Sequence, residues 1–299
     1  MIQCLKKVYH EFLALYYDIR YHMFQTNHQL PYIASIEETI DKLITEKKSI
    51  SRFGDGEIRW ILDLPQNSFQ SQNSQMQKDL VKVLTIPNDN CLIGIPREIV
   101  TIEGKTKRAR RFYREFFVEN GFQILKYIDN NRKYYNSDIS RCYMGYEDTD
   151  KAGQRFEKLK EIWTGKDIVI VEGEKTRLGV GNDLFTSCKT IKRILAPATN
   201  AYDKYYEIIE AIEKNVKKNE LILLALGPTA TILAYDLSVM GYQAIDIGHI
   251  DVEYEWFKLG TREKIPLKGK YVNEAGELGK QVLDVTDENY NNQIICYVR

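Results

Sequence analysis

The segment Arg52-Phe53-Gly54-Asp55-Gly56-Glu57 sets two carboxylates one residue apart, each preceded by a glycine. Glycine lets a backbone turn tightly, so Asp55 and Glu57 can reach one point. A divalent cation takes hard oxygen ligands, often one or two carboxylates plus substrate phosphates. Asp-x-Glu suits that task. The same tripeptide also serves as a polar turn that places carboxylates at a helix N-terminus. Arg52 either holds a phosphate or neutralises Asp55.

Four further segments carry reactive side chains. Glu172 through Asp183 combines three glycines with Lys175, Arg177 and Asn182. With Gly179 in its middle, it suits anion binding by backbone N–H groups and basic side chains. In Pro197 through Tyr202, Asn200 either caps the next helix or meets a ligand. Leu226-Gly227-Pro228-Thr229-Ala230-Thr231 is a glycine turn with proline at a helix start, where free N–H groups and the Thr229 hydroxyl make a phosphate site or a plain cap. In Asp246 through Trp256, His249 is the one histidine outside positions 10, 22 and 28. Asp251, Glu253 and Glu255 surround it and can tune an acid/base. Tyr254 and Trp256 offer a stacking surface.

Other chemistries lack their residues. There is no Gly-x-Ser-x-Gly elbow, no HExxH and no cysteine–histidine ligand set. Lys+Arg and Asp+Glu balance at 42 each across 299 residues, which argues against a nucleic-acid partner. The five cysteines form no CxxC pair and suit reduced thiols in a cytoplasmic protein. No run approaches ~18 uncharged apolar residues, so no transmembrane helix is expected. Lys6, Lys7, Glu11, Asp18 and Arg20 break up any signal peptide. The basic run from Lys105 to Arg114 either meets an anionic acceptor or membrane, or is a solvated helix face.

These side chains need a scaffold. Apolar runs at Ile50–Phe53, Cys91–Ile95, Asp167–Val171, Ile191–Leu195, Leu221–Leu226 and Ala244–Ile247 read as strands. Helical patterns at about 36–47, 75–86, 106–128, 151–163, 202–217 and 229–240 lie between most of them, the first opened by a Ser35/Glu38 capping box. Alternation of this kind predicts an α/β, Rossmann-like, mainly parallel sheet flanked by helices. Ligands bind beyond the carboxyl ends of such strands, where all five segments fall. Residues 1–34 read as an N-terminal helical extension with a stripe of Leu5, Val8, Phe12, Leu15, Ile19 and Phe24. It docks on the domain or in a homodimer, or lies on a membrane surface. Residues 35–275 are expected to form the Rossmann-like domain, and 276–299 a C-terminal extension packed on it.

Taken together, Ser51 through Glu57, Gly173 through Phe185, Leu226 through Leu237 and Ile247 through Phe257 resemble the GT-D type glycosyltransferases, a family formerly labelled a domain of unknown function. The resemblance runs from about residue 35 to about 275. It implies a UDP-sugar donor such as UDP-glucose, a glycan or glycoprotein acceptor, and Mn2+ (or Mg2+). It gives the metal role to Asp55 and Glu57 and points to the His249–Glu255 segment, Asp251 included, as the catalytic region. Ser140-Arg141-Cys142-Tyr143 matches the family's Ser/Thr-Arg-x-Tyr element and adds Arg141 to Arg52, Gly54, Arg177, Gly179, Asn182, Asn200 and Thr229 as donor contacts. Two other readings stand beside hexosyl transfer: a metal-dependent nucleotide-sugar or phosphosugar hydrolase, and a non-catalytic sugar-nucleotide-binding subunit.

Overall fold

The computed structural model describes residues 2–66, 70–282 and 287–299. Eight strands form one sheet: β1 (Ser49–Arg52), β2 (Cys91–Ile95), β3 (Tyr135–Asn136), β4 (Asp167–Gly173), β5 (Thr190–Ala196), β6 (Leu221–Ala225), β7 (Gln243–Asp246) and β8 (Ile294–Tyr297). Their order is β3-β2-β1-β7-β6-β4-β5-β8, and every pairing is parallel. The helices are α1 (Ile2–Asn27), α2 (Ile36–Thr45), α3 (Asp55–Ile61), α4 (Ser74–Thr85), α5 (Lys107–Leu125), α6 (Thr149–Lys160), α7 (Tyr205–Asn215), α8 (Pro228–Val239), α9 (Ile250–Lys258), α10 (Gly276–Lys280) and α11 (Glu288–Gln293).

Side chains alternate across each strand, so the sheet feeds two cores. Val169, Val171, Ile222 and Leu224 face α3, α4, α5, α7 and α8. Ile168, Ile170, Leu221 and Leu223 face α2, α6 and α9. Both faces are covered, which is why β6 is apolar at every position.

The topology opens two crevices. From β1 the chain moves outward through β2 and β3, while β7 lies on the other side of β1. From β4 it moves outward to β5, while β6 lies on the other side of β4. The segments leaving β1 and β7 pack on opposite faces, and so do those leaving β4 and β6. Order reversals of this kind are where open α/β sheets bind ligands.

The six expected strands appear within two residues of the expected bounds. Two were not foreseen: β3, only two residues long, and β8, which lies in the C-terminal extension and pairs with β5. Two helices also replace expected loops. α3 begins at Asp55 and α9 at Ile250. The Ser35/Glu38 box is present, with Glu38 N donating to Ser35 Oγ at 3.0 Å and Ser35 N to Glu38 Oε2 at 3.1 Å.

α1 docks through its C-terminal half on α5. Asp18 pairs with Arg114 at 2.7 Å, and the Tyr17 hydroxyl donates to Glu119 at 2.8 Å. Phe24 fills the space above Gly121, where a Cβ would lie 2.6 Å from its ring. Among the described side chains of the expected stripe, only Phe24 is buried. Phe12, Leu15 and Ile19 are exposed, and the side chains of Leu5 and Val8 lie outside the described residues.

A buried ion pair fastens the long segment after β4. Arg193 on β5 donates to Glu172 at 2.5 Å, to the Leu178 carbonyl at 2.9 Å and to Gln293 at 2.7 Å. Leu178 N returns a bond to Glu172 at 2.7 Å. Removing one partner of such a pair strands a buried charge. Arg193→Ala should therefore cost roughly 3–5 kcal/mol of unfolding free energy, read as the shift in a urea denaturation midpoint at unchanged slope.

Candidate active site

β1 ends at Arg52, and Gly54 caps α3. Glu57, in the first turn, accepts from Gly54 N at 2.8 Å. Asp55 and Glu57 thus stand at a helix N-terminus, where the dipole favours anions. Both line a polar cavity of about 1000 Å³ over the β1/β7 crevice, with Arg141, Asp246, His249 and Glu274. Burial, then the neighbouring charges of Asp246 and Asp55, push the Glu57 carboxyl up to about 7.

A second, more apolar cavity of about 760 Å³ lies over the β4/β6 crevice. Gly173, Ala225 and Leu226 form its floor, and Leu178, Pro197 and Tyr271 are among its walls. Gly227, Gly248, His249 and Asn273 line both cavities. They make one continuous cleft with an apolar and a polar half.

Beneath the polar half, Arg52 and Asp246 lock β1 to β7. The Arg52 fork donates to Asp246 Oδ1 at 2.9 Å, to the Asp246 carbonyl at 2.6 Å and to the Ser137 carbonyl at 2.8 Å. The Thr231 hydroxyl lies 2.9 Å from the Arg52 carbonyl and 3.2 Å from Asp246 Oδ2. Gly248 has φ +48, and a Cβ there would come within 2.2 Å of Arg52 Nη2. Only glycine fits both the conformation and the space.

His249 follows Gly248 and caps α9. Burial first, then the positive charges of Arg141, Arg52 and Lys264, lower its pKa to about 4, against the opposing pull of Glu274. The ring is therefore neutral at pH 7. Arg141 Nη1 pairs with Glu274 Oε1 at 2.8 Å, and Lys264 holds the other Glu274 oxygen at 2.6 Å. Arg141, half-buried at the cleft, is held protonated chiefly by Glu274 and Glu253, and Glu274 is held ionised by Arg141 and Lys264.

The other proposed site residues fall into a second network. Asp251 accepts from Gly179 N at 2.9 Å, Asn182 Nδ2 at 2.7 Å and Lys270 Nζ at 2.5 Å. Glu255, one turn on, accepts from Asn182 at 2.7 Å and stands 3.6 Å from Lys270. Arg177, at φ +53, donates to the Gly269 carbonyl at 2.9 Å. These contacts tie the segment after β4 to α9 and to the chain near residue 270. Asp251 also lines the apolar cavity; Glu255, Arg177 and Asn182 line neither half of the cleft.

Two further expected residues also lie off the cleft. Asn200, at φ +54, makes no side-chain cap bond; its Oδ1 accepts from Ser71 N at 2.7 Å. Thr229 is fully buried, and its hydroxyl has no hydrogen-bond partner among the described residues. Lys105 also departs from the expected solvated helix face. It is buried between Glu98 and Asp138, its ammonium 3.7 Å from the centre of the Tyr146 ring.

Sequence patterns did not single out Tyr271, Asn273 or Glu274. They belong to a loop that reaches the cleft only after folding, held by Tyr271 N donating to the Lys175 carbonyl at 3.1 Å. Glu253, noted only as a neighbour of His249, accepts from Tyr143 N and Met144 N at 3.1 and 2.9 Å. That contact carries the Ser-Arg-x-Tyr element against α9.

Among the described residues, no group of three or more His, Cys, Asp or Glu side chains can hold a metal ion. The donor set still fits a cation of the Mn2+ or Mg2+ type. Two carboxylates, Asp55 and Glu57, face one polar cavity with room for water and phosphate oxygens. Such ions use one or two carboxylates and complete their shell with water and phosphates.

The family model for the glycosyltransferase GT-D fold matches residues 50–275. The chain belongs to the GT-D-fold glycosyltransferases. It is 34% identical over 268 residues to "Glycosyltransferase GlyD" of Streptococcus pneumoniae, covering 89% of this chain and 32% of that protein. It is 36% identical over 268 residues to "Probable glycosyl transferase Gly" of Streptococcus gordonii, covering 88% and 38%. The chain thus spans about a third of the length of these curated relatives. Among solved structures, that reported under "The highly conserved domain of unknown function 1792 has a distinct glycosyltransferase fold" superposes with a TM-score of 0.85 at 35% identity, covering 93% of this chain and 99% of that one. The structure "A New Glycosyltransferase (DUF1792) from Streptococcus sanguinis" gives 0.84 at 33% identity, covering 90% and 100%. The all-parallel sheet is therefore the GT-D fold. Among the described residues no helix is long and apolar enough to cross a membrane.

The depressed His249 pKa has a stability consequence. Between pH 6.5 and about 4 the unfolded chain takes up a proton on this ring that the folded chain does not. The wild type accordingly loses stability from this site as pH falls through that window. His249→Asn lacks this penalty. Urea unfolding at several pH values should show the variant gaining on the wild type from pH 6.5 down to 4, with no such gain between pH 7 and 8.

Proposed function

We propose that this chain moves a hexose from a UDP-sugar to a hydroxyl of a glycan or glycoprotein acceptor, assisted by Mn2+ or Mg2+ at Asp55 and Glu57. The observation that carries the reading is the joined cleft. Its apolar half suits a nucleoside, its polar half suits a metal-bound diphosphate, and His249 stands where the halves meet. The choice of uridine rests on the family resemblance.

A divalent ion, when bound, stabilises charge on the leaving diphosphate as a Lewis acid. The chain's own groups do the rest. Arg141 turns its guanidinium from Glu274 toward the diphosphate, a charge-assisted contact of the kind arginine makes well. Arg52 is committed to Asp246 and acts by holding the cleft floor. His249, neutral at pH 7, accepts the proton of the acceptor hydroxyl. The acceptor oxygen bonds to the anomeric carbon as the bond from that carbon to the diphosphate oxygen breaks. Asp251, Glu255 and Asn182 position the wall that carries Gly179 and Leu178.

Three variants test this on the nucleotide-sugar that the wild type consumes. Asp55→Asn with Glu57→Gln should lower metal-dependent turnover by about a hundredfold or more while the melting temperature holds. His249→Asn should cost about 10²–10⁴-fold in kcat. Glu255→Gln should cost less than His249→Asn. Full turnover in the carboxylate double variant would remove the metal assignment, and a larger loss in Glu255→Gln would move the base to that residue. Release of free sugar as the main product, independent of acceptor, would instead make the chain a hydrolase.

A further inference from the structure

The polar half of the cleft contains one side chain that neither a metal nor a diphosphate calls for. Trp60 lines it, and among the described residues Pro228 is the only other apolar side chain there. The ring is firmly held, 8% exposed and part of the core on the α3 side of the sheet. It stands three residues after Glu57 on α3, so the two side chains share a face of the helix.

Trp60 differs from the other two tryptophans of the chain. Trp163 and Trp256 are fully buried, and their indole N–H groups donate to the carbonyls of Leu184 at 2.9 Å and Ile265 at 3.0 Å. The Trp60 indole N–H makes no hydrogen bond among the described residues, and it is not a fully buried orphan either. Tryptophan suits a place where one end of the ring is apolar and the other is wet.

The chemistry of the cavity narrows the ligand. Phosphates and a divalent ion need charges and hydrogen-bond donors, and the apolar half is there for a nucleoside. An apolar ring within a polar cavity suits a molecule that is apolar on one face and hydroxylated at its edge. A pyranose is such a molecule. Its C–H groups pack on the electron-rich face of an aromatic ring, while its hydroxyls need donors and acceptors together. Both stand around Trp60. Gln66, whose Nε2 donates to the Gly56 carbonyl at 3.3 Å, brings an amide to the cavity, and Asn273 brings a second. Asp138, fixed through Oδ2 by Lys105 and the Tyr146 hydroxyl, brings a carboxylate.

We propose that Trp60 is the platform on which a pyranose ring stacks, beside the carboxylates of α3. That this pyranose is a substrate rests on the transferase reading above; that it binds at Trp60 does not. The ring belongs either to the donor hexose or to the acceptor, and experiment separates the two.

Tryptophan fluorescence reads the binding directly, because Trp163 and Trp256 are shut in the core. The whole chain with Mn2+ is titrated with methyl glycosides of glucose, galactose and N-acetylglucosamine, with the nucleotide-sugar that the wild type consumes, with UDP, and with sorbitol, which has no ring. A pyranose-bearing ligand should change the emission saturably and beyond the change that UDP gives, and sorbitol should not. Trp60→Phe should keep its melting temperature and lose the signal. No response to any pyranose beyond that to UDP would overturn the proposal. In turnover, Trp60→Leu should raise one KM by about tenfold with a smaller change in kcat, and Trp60→Phe should restore most of the loss. A raised donor KM with inhibition by UDP unchanged assigns the platform to the donor hexose, and a raised acceptor KM alone assigns it to the acceptor. A Trp60→Leu protein that keeps both KM values, or that loses UDP inhibition to the same extent, would leave Trp60 a core residue only. Wild-type protein that consumes no nucleotide-sugar would sink the transferase reading, and the glycoside titration would then decide Trp60 by itself.

Discussion

The fork of Arg52 around the end of β7 is the contact on which the site depends. One buried guanidinium bonds the carboxylate and the carbonyl of Asp246 and reaches across to Ser137 beyond β3. It sits at the crevice between β1 and β7, where the sheet reverses its order. Several groups of the polar half hang from chain segments that this fork fixes. Asp55 and Glu57 follow β1 by a few residues, His249 follows β7, and Arg141 follows the turn that Ser137 begins. Position 248 takes glycine because its φ is left-handed and the guanidinium occupies the space a side chain would need. A lysine carries the same charge but has no planar fork to span three acceptors.

The groups around that fork carry both signs of charge. Glu57 is pushed toward its neutral form by burial beside Asp246 and Asp55. Arg141 is balanced by Glu274, and His249 is kept neutral by burial and the cations near it. Under the proposed function a metal-bound diphosphate would answer both signs: the cation would sit with Asp55 and Glu57, and the phosphates with Arg141. Within the protein the cations are met by Glu274 and Asp246, while Asp55 and Glu57 stand at the N-terminus of α3.

The legible part of the fold was the part written in local pattern. Apolar runs such as Leu221–Ala225 and Asp167–Gly173 announce buried parallel strands, and the Ser35/Glu38 box announces a helix start. The hidden parts lack such pattern. β3 is two residues long and earns its place by pairing with β2. α3 and α9 open with glycine and acidic residues that read as turns, and they became helices because Glu57 caps one and both bury an apolar side. The site was legible as a set of strand-end segments, since parallel sheets gather those at one rim. The division of labour within it was not. Arg52 reads as a phosphate ligand until its partner, almost two hundred residues away, is seen to occupy it. Glu274 carries no local signal at all. The apolar stripe of α1 was visible as spacing, but only packing tells which arc is docked and which is bare.

The most direct measurement is the turnover of Arg52→Lys set beside its melting temperature. If the fork organises the cleft, the variant stays folded with a lowered melting temperature and loses donor turnover by about a hundredfold or more, because a small misplacement of reacting groups costs that much. Turnover near the wild-type rate in a folded Arg52→Lys protein would contradict the account.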